Sequence, residues 1–261
     1  MNKLTGFIFI VLLLCMLEVA CRLHWLDPVY FPAPTSVTAA LIDLLRTGDL
    51  WRHLGATVTR AGVGYLLAML VAVPVGLLMG KFRWVNALLE PLVDALRTMP
   101  SAAIIPVAIL LFGIEEQMKI SVIIFGAMWA TIVSTVDGIR GVEPLLLDTG
   151  RLMQLSPAQM ITRIILPAAM PTIVTGMRIS LAIALILAVT SEMIAGSDGL
   201  GYFILDAERG FAFHRMYAGI IVIGFIGYVA SRLFVMIESR LLFWHYAPRA
   251  GSNDLQPGKY V

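Results

Sequence analysis

Charge is what this chain has least of. Of its 261 residues, 14% are Asp, Glu, Lys or Arg, against about 25% in a soluble domain. The same chain is 59% hydrophobic, with a mean hydropathy of +0.87. These values exclude a soluble globular protein and leave an integral membrane protein. The net charge of +2, spread over segment ends, offers no basic patch for nucleic acid. Cysteine is nearly absent. Cys15 and Cys21 lie in the first apolar run, do not share a helix face, and are expected as free thiols. Lys3 before that run is compatible with a signal peptide. No small-x-small site with a polar flank follows, and Glu18-Val19-Ala20 spoils a lipoprotein site at Cys21. A retained span is therefore expected.

Catalytic motifs are missing too. The chain has no Gly-x4-Gly-Lys-Ser/Thr phosphate loop, no His-Glu-x2-His, no Gly-x-Ser-x-Gly and no Cys/His metal spacing. His24, His53, His214 and His245 stand alone and read as interface residues. A membrane-embedded enzyme would need a cluster of nucleophile, base or ligands that is not visible. An autonomous channel or proton-coupled carrier is the other rival, but no internal repeat of the kind common in secondary transporters is visible.

What is present is a series of long apolar runs. Six approach the roughly 20 residues needed to cross a bilayer: 6–23, 57–79, 88–112, 118–136, 172–195 and 216–237. They do not alternate, so helices rather than a barrel are expected. The fold class read from this is an all-α integral membrane protein with six transmembrane helices. Three regions follow: 1–56, a first span plus an extracytoplasmic surface helix; 57–240, a core; and 241–261, a cytoplasmic tail rich in Pro, Gly and polar residues. In the first region Thr35 or Ser36 can cap a helix with Val37, Ala40, Leu41, Leu44 and Leu45 on one side. That helix lies on the membrane or meets a partner there. Lysine and arginine bias slightly favours cytoplasmic N and C termini.

Three stretches carry polar or helix-breaking residues inside or between spans. Gly62, Gly76 and Gly80 in the second span permit close helix approach. The third reads Arg97-Thr98-Met99-Pro100-Ser101, with Pro106 beyond. Its prolines break the helical ladder, which is tolerated at membrane depth only against protein or a water-lined cavity. Arg97, Met99, Pro100, Ser101 and Pro106 are therefore candidates for lining a translocation pathway. Arg97 and Asp94 either pair with one another or act at a gate. Ser191 and Glu192 join the pathway set because an ionisable residue in a span is a functional candidate, although Glu192 also lies where it can reach headgroups. Arg97 and Arg178 are the arginines left within spans.

The longest fairly polar helical stretch runs from Asp148 to Pro171. Ser156-Pro157-Ala158-Gln159 has the form of a capping box with proline at the first helical position. Met160, Ile161, Ile164 and Ile165 share a face, and Pro167 is expected to end the segment. This stretch resembles the Glu-Ala-Ala-x3-Gly-x9-Ile-x-Leu-Pro loop of bacterial ABC importer permeases. Asp148, Thr149 and Gly150 hold its first three positions, Gln154 its glycine, and Ile164, Leu166 and Pro167 its end. With Thr57–Gly80, Arg97-x2-Pro100, and Glu192 with Gly199-Leu200-Gly201, the chain resembles the aliphatic-sulfonate, taurine and nitrate branch of that family.

The resemblance implies a type I ABC importer permease fold, with a cytoplasmic coupling helix between spans four and five. Asp148, Thr149, Gly150, Gln154, Leu155, Ser156, Pro157, Arg163 and Pro167 would form the ATPase-coupling set. It implies a bacterial inner-membrane homodimer, two partner ATPase subunits carrying ATP and Mg, and an extracytoplasmic solute-binding protein delivering a small anion. No cofactor or metal is expected on this chain. Glutamine is disfavoured in a left-handed turn by about 1–2 kcal/mol, so the turn at residue 154 is expected to avoid positive φ.

Overall fold

A computed structural model describes residues 3–243 of the chain. The predicted tail, with His245, lies outside the described residues apart from its first three positions. The elements are α1 (Lys3–Arg22), α2 (Pro34–Thr47), α3 (Asp49–Lys81), α4 (Arg83–Arg97), α5 (Ile105–Phe112), α6 (Glu116–Arg140), α7 (Pro144–Leu152), α8 (Pro157–Met160), α9 (Leu166–Ala195), α10 (Leu200–Arg209) and α11 (Phe213–Leu241). No strand occurs among the described residues. Helix α3, helix α6, the run Pro157–Ala195 and helix α11 are each long and apolar enough to cross a membrane. The pair α4 and 101–112 is apolar enough only when taken together and is bent by 93°, the form of a broken span or a re-entrant loop. Helix α1, 20 residues long, covers the first expected run but is not among these helices, so the described residues give four crossings, or five with the bent pair, against the six expected. The third expected span is thus broken, at Thr98–Pro100, where the prolines placed the break. Pro106 does not add a second one, because it lies in the first turn of α5, where proline is tolerated.

The chain packs as two compact units that do not follow sequence order. The first combines residues 1–60 with 188–227. Its core joins Val37, Ala40 and Leu44 of α2 and Leu50 of α3 to Leu200, Phe203 and Ile204 of α10 and Ala218 and Val222 of α11. Val37, Ala40 and Leu44 are inward as the 3.6-residue period of α2 predicts, and Leu41 packs partly against them, but Leu45, expected on the same side, is 43% exposed. The cap differs from expectation. Ala33 is the N-cap and makes no side-chain bond. Instead the Glu18 carboxylate, from α1, accepts the Thr35 N–H at 3.1 Å and the Thr35 hydroxyl at 2.9 Å. A carboxylate at a helix N-terminus meets both the free donors and the helix dipole.

The second unit combines residues 61–187 with the described residues from Tyr228 onward. Ala72 and Met79 of α3, Val85 and Val93 of α4, and Trp129, Ile132 and Val136 of α6 form its core. Close approach of α3 to α6 rests on Gly64, Gly76 and Gly80. A Cβ on Gly76 would sit 2.6 Å from Thr135 Cβ, and one on Gly80 2.9 Å from Ile139 Cβ. Gly62 contributes nothing, since a Cβ there meets no atom within 4 Å. It is Gly64, beside Ile123, that takes the role expected of it.

Candidate functional site

The segment expected to couple lies in the second unit as two short helices joined by a tight turn. Helix α7 starts on Pro144, ends at Leu152 and gives way to a turn through Met153, Gln154 and Leu155. The Gln154 N–H donates to Arg151 O at 2.9 Å and the Leu155 N–H to Gly150 O at 3.1 Å, the paired bonds of a Schellman motif. That motif needs a left-handed residue, and Gln154 supplies it with φ +54°. The expectation that residue 154 avoids positive φ is therefore wrong. Two turn hydrogen bonds, worth about 1 kcal/mol each, offset the cost of placing a side chain there.

The expected capping box forms. The Gln159 N–H donates to Ser156 Oγ at 3.3 Å, and the Ser156 N–H to Gln159 Oε1 at 3.0 Å. With Pro157 at the first helical position, α8 begins as expected. It does not end at Pro167. Residues Ile161–Ile165 form a π turn, and α9 follows without a break. The Leu166 N–H reaches back to Ile161 O, and Leu166 keeps helical angles (φ −63°, ψ −48°) directly before the proline. The carbonyl of Arg163, which Pro167 cannot serve, falls inside that widened turn, the kind of adjustment that lets a helix carry a proline.

Within this segment Gly150 is buried. A Cβ there would meet Ile164 Cδ1 at 2.5 Å and Met160 Sδ at 2.8 Å, so α7 crosses closely over 160–164. The opposite face is open: Leu145 is 68%, Leu152 85% and Met153 69% exposed. Asp148 pairs with Arg151 at 2.9 Å on the surface, and the Thr149 hydroxyl donates to Leu145 O at 2.8 Å. Pro157 and Arg163 are exposed, and Leu155 in the turn is half-buried.

The broken span, also in the second unit, places Arg97, Met99 and Pro100 at the surface and Ser101 half-buried beside Gly126 of α6. Pro106 is exposed. Arg97 pairs with Asp94 at 2.9 Å, as the three-residue spacing allows. Both line a cleft of about 100 Å³ that also takes in Glu90, Asp137 and Arg140.

Ser191 and Glu192 belong to the first unit, at the end of α9, and both are fully buried. Glu192 neither reaches headgroups nor stands bare. Its Oε1 accepts from Arg60 Nη1 at 2.9 Å, and its Oε2 accepts from the Thr57 hydroxyl at 2.8 Å and the Gly201 N–H at 3.0 Å. Ser191 donates to Ala188 O at 2.9 Å. Arg60 is 4% exposed and also donates to Asp198, through both its backbone oxygen (3.2 Å) and its carboxylate. The Leu200 N–H donates to Thr57 Oγ1 at 2.8 Å and the Gly199 N–H to His53 Nδ1 at 3.1 Å. Thus His53, Thr57 and Glu192 together satisfy the first donors of α10. Because His53 Nδ1 accepts, the neutral ring carries its proton on Nε2, toward Asp49 at 3.8 Å.

Sequence reading placed His53 at an interface and did not single out Arg60; both are buried. A signal was there. His53, Thr57 and Arg60 stand four and three residues apart, one face of an otherwise apolar helix. Gly199 closes the cluster with φ +100°, and a Cβ on it would overlap the Glu192 carboxylate.

Comparison with known proteins places this geometry. The profile of a family described as "Binding-protein-dependent transport system inner membrane component" matches residues 72–243. An SsuC permease protein of Bacillus subtilis (strain 168), named for aliphatic sulfonates transport, is 32% identical over 239 residues, 92% of this chain and 87% of that protein. The taurine transport system permease protein TauC of Escherichia coli (strain K12) is 31% identical over 228 residues, covering 85% and 83%. Among solved structures, an inward-facing conformation of the MetNI methionine ABC transporter aligns with TM-score 0.62 at 19% identity, over 74% of this chain and 95% of that one.

Proposed function

The chain belongs to the family of binding-protein-dependent transport system inner membrane components, and we propose that as an ABC importer permease it carries a small oxyanion. The anion class is supported by relatives named for aliphatic sulfonates and taurine. Two copies would enclose the pathway, an extracytoplasmic binding protein would deliver the solute, and two ATPase subunits would bind ATP and Mg. The N and C termini and the 144–165 segment would lie in the cytoplasm.

One observation carries the coupling part of this reading. Between two membrane crossings stands a rigid pair of short helices, fixed at its turn and at its cap, with Leu145, Leu152 and Met153 bare. Large apolar side chains exposed on a polar loop mark a docking surface. Movement of an ATPase groove holding them would shift the start of α9 directly, since no break separates α8 from α9. Such a contact can bias two packings of the spans only if it binds one of them better.

The test is reconstitution of the full importer in proteoliposomes, with taurine, an alkanesulfonate and nitrate as solutes. Uptake is expected to require ATP and the binding protein. Leu152→Asp with Met153→Asp is expected to abolish uptake and to weaken ATPase association. Uptake by this chain alone, or an unaffected double variant, overturns the reading.

A further inference from the structure

Arg60, Arg178 and Arg232 stand well inside crossing helices, away from both ends, and Arg97 stands at the break of the bent pair. Three of these four have partners within the chain, Arg232 donating to the Tyr228 hydroxyl at 3.0 Å. Arg60 holds Glu192 and Asp198, and Arg97 holds Asp94. Arg178 is different. It is exposed, and among the described residues no carboxylate pairs with it. It stands on α9, twelve residues after Leu166 and seventeen before Ala195. At about 1.5 Å per residue, with a roughly 30 Å core centred on the helix, its Cα lies about 10 Å inside the hydrocarbon.

A guanidinium at that depth is not left to lipid. It is expensive there, and it faces protein or a water-filled passage. The rest of its helix face agrees. The exposed neighbours one turn to either side are Thr175 and Ala182, with half-buried Leu181 beside Ala182, and Ile179 and Ile186 exposed to one flank. The most exposed positions elsewhere in the same unit carry larger apolar groups: Leu66 and Leu70 on α3, Leu110 and Leu111 on α5. Small side chains, Thr175 and Ala182, one turn to either side leave the unneutralised guanidinium open to water and a passing solute.

We propose that Arg178 is the anion-selecting contact of the translocation pathway, a temporary counter-charge site for a small singly charged oxyanion. The proposal rests on the importer reading above and names the residue that would enforce its substrate class. The guanidinium fork offers two parallel N–H donors to a sulfonate or nitrate edge. Thr175 is not a second donor in the present state, because its hydroxyl donates to Pro171 O at 2.9 Å. A single exposed cation holds its ligand weakly, which suits a site that must release what it admits.

The experiment uses the full importer in proteoliposomes, with taurine, an alkanesulfonate and nitrate as probes. Arg178→Lys is expected to keep at least about a third of wild-type uptake. Arg178→Gln is expected to lose about 10- to 100-fold, the effect of one charge-assisted contact, while ATP hydrolysis stimulated by the loaded binding protein persists. As a second reading, Arg178→Cys in a background lacking Cys15 and Cys21 is treated with the water-soluble 2-aminoethyl methanethiosulfonate. Labelling, and recovery of uptake as the positive charge returns, is expected. An unlabelled thiol places the residue against lipid and overturns the proposal, as does full uptake by Arg178→Gln. Dissociation of the complex in both Arg178→Gln and Arg178→Lys would assign the residue to contact with a second copy, and also overturns it. If the wild type moves none of the anions but does move an uncharged or cationic solute, the substrate class proposed above falls. If it moves an anion and Arg178→Gln is unaffected, only the present inference falls.

Discussion

Replacing Glu192 by glutamine tests whether the buried cluster is a structural lock or part of the solute path. The substitution keeps shape and removes one charge. Two amide orientations are available. With the new oxygen toward Thr57 and Gly201, the amide NH2 faces Arg60 Nη1, two donors where 2.9 Å once joined opposite charges. With the oxygen toward Arg60, the NH2 faces Thr57, whose hydrogen can turn to His53 O at 3.2 Å. The Gly201 N–H then loses its acceptor at the first turn of α10. Either way one buried donor is unpaired, costing about 1–3 kcal/mol. Arg60 also loses one of two carboxylates but keeps Asp198, so the roughly 3–5 kcal/mol of a fully orphaned charge is not reached. The expected total is about 2–3 kcal/mol.

At about 2–4 °C per kcal/mol for a chain near this size, the apparent unfolding temperature of the purified complex should fall by about 4–12 °C. Arg60→Met should cost more, about 3–5 kcal/mol, because it leaves Glu192 charged and buried. The double variant Arg60→Met/Glu192→Met should be milder than the sum, with a coupling of about 2 kcal/mol or more. Uptake per intact complex, measured below the variant's melting range, should stay near wild type. A Glu192→Gln complex that melts like wild type but carries no solute would refute the lock. So would single variants that add within about 0.5 kcal/mol.

Further outcomes follow from local geometry. Gly199→Ala combines a positive φ with overlap on the Glu192 carboxylate and should abolish recovery of folded protein from membranes, read by detergent gel filtration. Gln154→Gly removes a left-handed side chain costing about 1–2 kcal/mol and adds chain entropy of roughly 0.5–1 kcal/mol to the unfolded state. It should stabilise α7 by up to about 1 kcal/mol with uptake unchanged, seen as slower amide exchange at Arg151–Leu155; a faster exchange contradicts the turn assignment. Ser156→Ala removes the acceptor for the Gln159 N–H and should cost about 1 kcal/mol, with exchange quickened at Gln159 and Met160 but not in α7.

The parts of the fold legible in the sequence were those where one rule acts alone. Apolar run length placed the crossings, the 3.6-residue period placed Val37, Ala40 and Leu44 inward, and Ser156-Pro157-Ala158-Gln159 gave its own cap. The misses occurred where two rules competed. At Pro167 the local bias against helix lost to continuation of α9, because one extra residue in a π turn removes the clash. At Gln154 the cost of a left-handed side chain lost to two turn hydrogen bonds. At Glu18 the cap of α2 came from a different helix, fifteen or more residues upstream, which no local pattern contains.

The same distinction separates the charges inside the membrane. Burial of Arg60 was hidden because its partners Glu192 and Asp198 lie more than 130 residues away in sequence, and a lone arginine near a span end reads as an interface anchor. Arg178 presents the converse case. Its isolation in sequence persists among the described residues, where no carboxylate pairs with it. A cation satisfied at home stabilises one packing of the helices. A cation left open at depth must take its counter-charge from outside the chain, and a species that visits and leaves is what a transport protein supplies.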